Sequence, residues 1–233
     1  MAIRTVSEIL LTSQEVAAEI GTSRQRVAAL AEAGVFEVVS NGNGKLFTKS
    51  SVRRYQRTAR KPGRPFSERM AFAVLYIISD EPVQWLSPSE RCRMRTRMRE
   101  LDAPALLDLC RNRSGIRRFW CRDNRLGGVA DHIRLSAGTG DLSGDFDLTS
   151  SDTVEGYVPA SAVESVVRSN RLREDFEPHN VILHVPSFLP GGQGSMPVGV
   201  CAADLAESSD DRERSAGLRK LEELLSGFRQ SGK

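Results

Sequence analysis

Between Leu11 and Gly34, in the stretch LTSQEVAAEIGTSRQRVAALAEAG, apolar positions recur at helical spacing twice, with a break at Gly21. Val16, Ala17 and Ile20 share one face of the first segment, and Val27, Leu30 and Ala31 share one face of the second. Thr12 with Glu15 forms a capping box for the first helix, and Leu11 with Val16 has the spacing of a hydrophobic staple. Thr22 with Gln25 repeats the capping signal for a second helix ending near Gly34. Phe36 to Val39 is β-rich, Asn41-Gly42-Asn43-Gly44 is a hairpin-loop signal, and Lys45 to Thr48 reads as the returning strand. Ser50 is placed to cap a third helix bearing Arg53, Arg54 and Arg57. The pattern predicts a winged helix-turn-helix.

The texture changes from Phe66. Ser67 to Ser79 is apolar around most of a helical circumference, which predicts a core helix. Ser87-Pro88-Ser89-Glu90 opens a further helix to about Leu101, carrying Arg91, Arg93, Arg95, Arg97 and Arg99, whose alternate spacing spreads them around the cylinder; an exposed helix is expected, with DNA or partner contact as the alternative. Asp102 and Pro104 restart a helix through Cys110. Beyond it, His132 to Ser136, Val154 to Val158, Val181 to Val185 and Val198 to Ala202 read as strands, the last two joined by a hairpin loop over Pro190 to Gly194. A helix is expected through Ala162 to Val167. Another, capped by Asp210 with Glu213, buries Leu218, Leu221, Leu225 and Phe228. The expected class is α+β: a winged helix-turn-helix over 1–61, a basic linker and helical segment over 62–125, and a mixed α+β domain over 126–233.

Charge sharpens this division. Through Arg64 there are 11 Lys and Arg against 5 Asp and Glu; Pro65 to Arg125 holds 12 against 8, and Leu126 onward 10 against 17. The whole-chain net charge of +3 therefore conceals a basic front and an acidic rear, and a basic front suits a polyanionic partner. At 233 residues, with 39% hydrophobic and 27% charged, the chain can form two compact units. The longest apolar run, Ala71 to Ile78, is too short for a bilayer, and Met1 to Leu11 lacks the features of a secretory signal. Cys92, Cys110, Cys121 and Cys201 have no paired spacing, which argues against a disulfide framework or a zinc cluster. A reduced, cytoplasmic protein is expected.

The second helix carries the candidate chemistry. Its apolar stripe leaves Gln25, Arg26 and Ala29 and, to one side, Arg24 and Ala28 pointing away, and Arg and Gln side chains suit bidentate contacts with guanine and adenine edges. Thr22, Ser23, Lys45, Lys49, Arg53, Arg54 and Arg57 are the candidate phosphate contacts. A helical hairpin with a solvated polar face would carry the same pattern. Arg60-Lys61-Pro62-Gly63-Arg64-Pro65 reads either as a stiff linker or, by its similarity to an AT-hook, as a minor-groove arm using Arg60, Lys61 and Arg64.

Catalytic signals are weak. The glycine loops lack a following lysine and Ser/Thr pair, and there is no Gly-x-Ser-x-Gly elbow. His179 and His184 fall where a strand is expected, on opposite sides and without an acidic third ligand. Asp131, Asp141, Asp145, Asp147 and Asp152 lie in a Gly/Ser-rich stretch that reads as a loop. No catalytic residue, metal or cofactor is expected.

The front resembles the winged helix-turn-helix of MerR-type and excisionase-type proteins. The ordered run Lys61-Pro62-Gly63-Arg64-Pro65-Phe66-Ser67, Trp85-Leu86-Ser87-Pro88-Ser89-Glu90-Arg91, Ile133-Arg134-Leu135-Ser136, Val154-Glu155-Gly156-Tyr157-Val158, Asn180-Val181-Ile182-Leu183, Asp204-Leu205-Ala206-Glu207 and Asp211-Arg212-Glu213-Arg214 resembles the AbiEi-type antitoxins of type IV toxin–antitoxin systems. That resemblance implies a non-enzymatic repressor acting on double-stranded operator DNA at inverted repeats, with a second domain countering a nucleotidyltransferase-like toxin. The short wing and the long polar stretch from Asp141 to Ser151 depart from the pattern. An excisionase-like DNA-bending protein and a DNA-processing enzyme are the alternatives.

Overall fold

The computed structural model describes residues 10–32, 35–36, 38–40, 45–49, 51–52, 55, 64–137, 139, 146, 153–174, 178–192, 194–208 and 210–231. The fold is mixed helix and sheet, of the α+β class. It divides into two compact units, Met1–Pro62 and Gly63–Lys233.

In the first unit, β1 (Leu10–Thr12) leads into α1 (Ser13–Glu19), followed by α2 (Arg24–Glu32), β2 (Val38–Ser40) and β3 (Lys45–Thr48). The sheet order is β1-β3-β2, antiparallel throughout, with Val39 opposite Leu46 and Leu11 opposite Phe47. β1 was not expected: a three-residue run has no detectable period, and pairing with β3 creates it. The Thr12 capping box forms as the spacing predicts, Thr12 N–H donating to Glu15 Oε2 at 2.7 Å and Glu15 N–H to Thr12 Oγ1 at 3.3 Å. Val16, Val27, Leu30, Phe36, Phe47 and Val52 make the core, with Leu11 packed against it. Phe36 is not in β2 but stands edge-on to Phe47 and Tyr55, at centroid distances of 5.8 and 5.1 Å. The expected Asn41–Gly44 loop, the Ser50 cap and Gly34 lie outside the described residues.

The second unit contains α3 (Glu68–Ile78), α4 (Pro88–Met98), α5 (Ala103–Cys110), α6 (Leu126–Ala130), α7 (Val163–Asn170), α8 (Val198–Ala206) and α9 (Asp211–Gln230). Its strands are β4 (Gly115–Phe119), β5 (Arg134–Leu135), β6 (Val154–Tyr157) and β7 (Val181–Val185). The sheet order is β4-β7-β6-β5, with β6 and β7 parallel and the outer pairs antiparallel. One face presents Phe119, Val154, Val181 and Leu183 to Val129 of α6 and Val163 and Val166 of α7. Because side chains alternate along a strand, Tyr157 and its register partner His184 occupy the opposite face.

The caps at Ser87, Asp102 and Asp210 form as the sequence predicts. Two expectations fail. Val198–Ala202 is the start of helix α8 rather than a strand, so Pro190–Gly194 is not a hairpin loop. A short apolar run has no period that separates buried helix from buried strand, and here every residue from Gly199 to Ala206 is buried. Gly199 and Gly217 let the backbones meet: a Cβ at Gly199 would lie 2.6 Å from Leu75 O, and one at Gly217 2.4 Å from Ala206 N. The expected boundary at 125/126 also has no counterpart, because α3, α4 and α5 share one core with α8 and α9.

Candidate nucleic-acid interface

α1 ends in a tight turn. Ile20 N–H donates to Val16 O at 3.0 Å, Thr22 N–H donates to Ala17 O at 2.9 Å, and Gly21 takes φ +65°, a left-handed conformation open to glycine without penalty. The cap of α2 is Ser23 rather than Thr22: Ser23 Oγ accepts from Arg26 N–H at 3.2 Å and Ser23 O from Val27 N–H at 3.1 Å. Sequence spacing placed the cap one residue early, because the backbone of Thr22 is already used in closing α1. Arg24, Gln25 and Arg26 are consequently the first three residues of α2.

All three are exposed, as are Ser23, Ala28 and Ala29, while Val27 and Leu30 face inward. Thr22 is half-buried. Lys45 is exposed at the start of β3, opposite Ser40, and Lys49 is half-buried just after the strand. Arg64 is exposed. Arg53, Arg54, Arg57, Arg60 and Lys61 lie outside the described residues.

The second unit buries a charged network that sequence reasoning missed. Arg113, 1% exposed, donates from Nε to Tyr157 Oη and Asp204 Oδ1, each at 3.1 Å, and from Nη2 to Asp204 Oδ1 at 2.5 Å and Glu207 Oε2 at 2.8 Å. Tyr157 Oη donates to Asp204 Oδ1 at 2.8 Å, and Ser136 Oγ donates to Asp204 Oδ2. His184 stacks on Tyr157, its Nε2 is 2.6 Å from Glu155 Oε1, and its Nδ1 is 3.1 Å from Ser114 Oγ. Burial alone would depress Arg113, but Glu207, Tyr157 and Asp204 outweigh it and hold the guanidinium charged. Burial likewise works against the Asp204 carboxylate, yet His184 and Arg113 bring it below its ordinary value. His184 is raised: its desolvation is outweighed by Asp204 and by its bond to Glu155.

This corrects the expectation that no acid stands beside His184. Glu155, His184 and Asp204 offer ligand atoms within 4.8 Å of one another. Parallel pairing of β6 with β7 and the packing of α8 bring them together across long sequence separations. His179 lies outside β7 and is not part of the cluster. Asp204 already accepts from Arg113, Tyr157 and Ser136, and the Arg113 guanidinium supplies the positive charge that its buried carboxylate needs. The chemistry of the donor set is that of a satisfied structural network. Cys110 and Cys201 are buried thiols pushed up to about 12, chiefly by desolvation, and so are poor nucleophiles.

Comparison with protein-family models, with curated proteins and with solved structures finds no match to this chain. Among the described residues, no helix is long and apolar enough to cross a membrane.

Proposed function

We propose that this protein is a sequence-specific DNA-binding regulator whose first unit acts as a winged helix-turn-helix, with α2 as the helix that reads the major groove. One observation carries the reading: the first turn of α2 exposes Arg24, Gln25 and Arg26 in succession while Val27 and Leu30 are buried, with Gln25 on the side away from that stripe and the two arginines flanking it. Recognition helices contact base edges through their N-terminal residues, and Ala28 and Ala29 on the outer side permit close approach. The β2–β3 pair follows α2 where a wing would lie, with Lys45 at its exposed end.

The resemblance to AbiEi-type antitoxins supports a more specific reading, in which the protein represses its own operon at inverted repeats and its second unit counters a toxin. This is a binding role, without catalysis. Fluorescence anisotropy of the full chain on its upstream promoter fragment and on a random duplex tests the DNA reading. The Q25A/R26A variant should lose preference for the promoter fragment, at a cost of about 1–3 kcal/mol per lost base contact. Equal weakening on both duplexes would overturn it, and strong bending of DNA without repression would favour the excisionase-like alternative. Co-expression with the neighbouring gene tests the antitoxin role: rescue from growth arrest supports it, and unrelieved arrest refutes it.

A further inference from the structure

The arginines of α4 are not absorbed by the reading above. Met94 and Met98 turn its inner side into the core. Opposite them, Ser89, Cys92 and Thr96 are spaced three and four residues apart and form an exposed outer ridge. Arg93 with Arg97 flanks this ridge on one side and Arg95 with Arg99 on the other, each pair four residues apart and all four exposed. Neither Arg93 nor Arg95 has an ion-pair or hydrogen-bond partner among the described residues. Glu90, the acidic residue of the helix, is already committed to Arg69 at 3.1 Å and to the Ser87 cap. Arg97 lies over the Phe66 ring at 4.8 Å, which orients its guanidinium along the surface. A helix C-terminus favours cations, which accounts for Arg95 and Arg97 in the last turn but not for Arg93 in the middle.

We propose that this face of α4 is a second phosphate-binding surface, which engages the backbone of duplex DNA without reading its sequence. An α-helix with its side chains is about as wide as the major groove, so rows of arginine on its two flanks can each meet a phosphate strand. The ridge between them is chemically quiet: Thr96 Oγ1 donates back to Cys92 O at 3.1 Å, and Ser89 Oγ is 3.2 Å from Ser87 Oγ. Short hydroxyls turned to their own helix do not read bases, whereas arginine supplies the charge-assisted contacts that position a protein on the backbone. The proposal rests on the reading of the first unit only in taking duplex DNA as the polyanion.

Binding of the full chain to a random-sequence duplex, followed across a salt titration, tests it. R93A/R95A should reduce the slope of log K against log salt by about two units and leave the preference for the promoter fragment unchanged. R93K/R95K, which keeps the charge, should retain the wild-type slope. An unchanged slope in R93A/R95A overturns the proposal, and so does release of the duplex by polyglutamate as effectively as by competing duplex, which would assign the face to an acidic protein. Failure of the α2 reading shows separately, as unaltered sequence preference in Q25A/R26A.

Discussion

Arg113 and Asp204 form a fully buried ion pair, two guanidinium nitrogens converging on one carboxylate oxygen, and this pair joins the turn between α5 and β4 to α8. Neither charge has access to water. Tyr157, Ser136 and Glu207 complete the hydrogen bonding, so the network holds together only while every member is present.

Asp204→Ala should therefore cost about 3–5 kcal/mol, because it strands the buried guanidinium of Arg113 rather than merely deleting a contact. Urea unfolding measures the loss. A cost under about 1 kcal/mol would mean that water reaches the site.

Stability should depend on pH through His184. Its native value lies above the ordinary one near 6.5, so the folded state holds the proton more tightly than the unfolded chain. That contribution is fully present below about pH 6.5 and is lost as the pH rises through the native value. The depressed Asp204 carboxylate acts in the other direction, its contribution vanishing as the pH falls through the acid range. Urea midpoints should decline from mildly acidic to alkaline pH in the wild type, and His184→Gln should flatten that decline. An identical slope in the variant would assign the effect elsewhere.

Two glycines of α9 should respond oppositely to alanine. At Gly217 the new Cβ would meet Ala202 O at 2.5 Å and Ala206 N at 2.4 Å, backbone atoms that cannot step aside, so a loss of about 1–3 kcal/mol is expected. At exposed Gly227 nothing lies within 4 Å, and alanine should stabilise the helix by up to about 1 kcal/mol. Thermal denaturation of the two variants should shift in opposite directions.

The position of the α2 cap can be checked in the same way. Ser23→Ala should cost about 1 kcal/mol and Thr22→Ala distinctly less, since Ser23 Oγ accepts the Arg26 N–H. The reverse ranking in urea midpoints would restore Thr22 as the cap.

Lys45, exposed at the start of β3, is expected to touch phosphate only. Lys45→Ala should weaken binding to all duplexes alike and lower the salt slope by about one unit. A selective loss on the promoter fragment would make it a base contact.

Local chemistry by itself determined the caps at Thr12, Ser87, Asp102 and Asp210, the inward stripes of α2 and α9, and the basic front of the chain, since each depends on neighbours within one or two helical turns. Strands without a period of their own required partners: β1 exists because β3 lies beside it, and Gly115–Phe119 became a strand by pairing with β7. The run at Val198 took helical form between α3 and α9, where glycines admit neighbouring backbone. The meeting of Arg113, Glu155, Tyr157, His184 and Asp204 was decided only in three dimensions. No spacing along the chain encodes which face of a parallel strand pair a distant helix will cover, and that packing is what set a buried arginine against a buried aspartate.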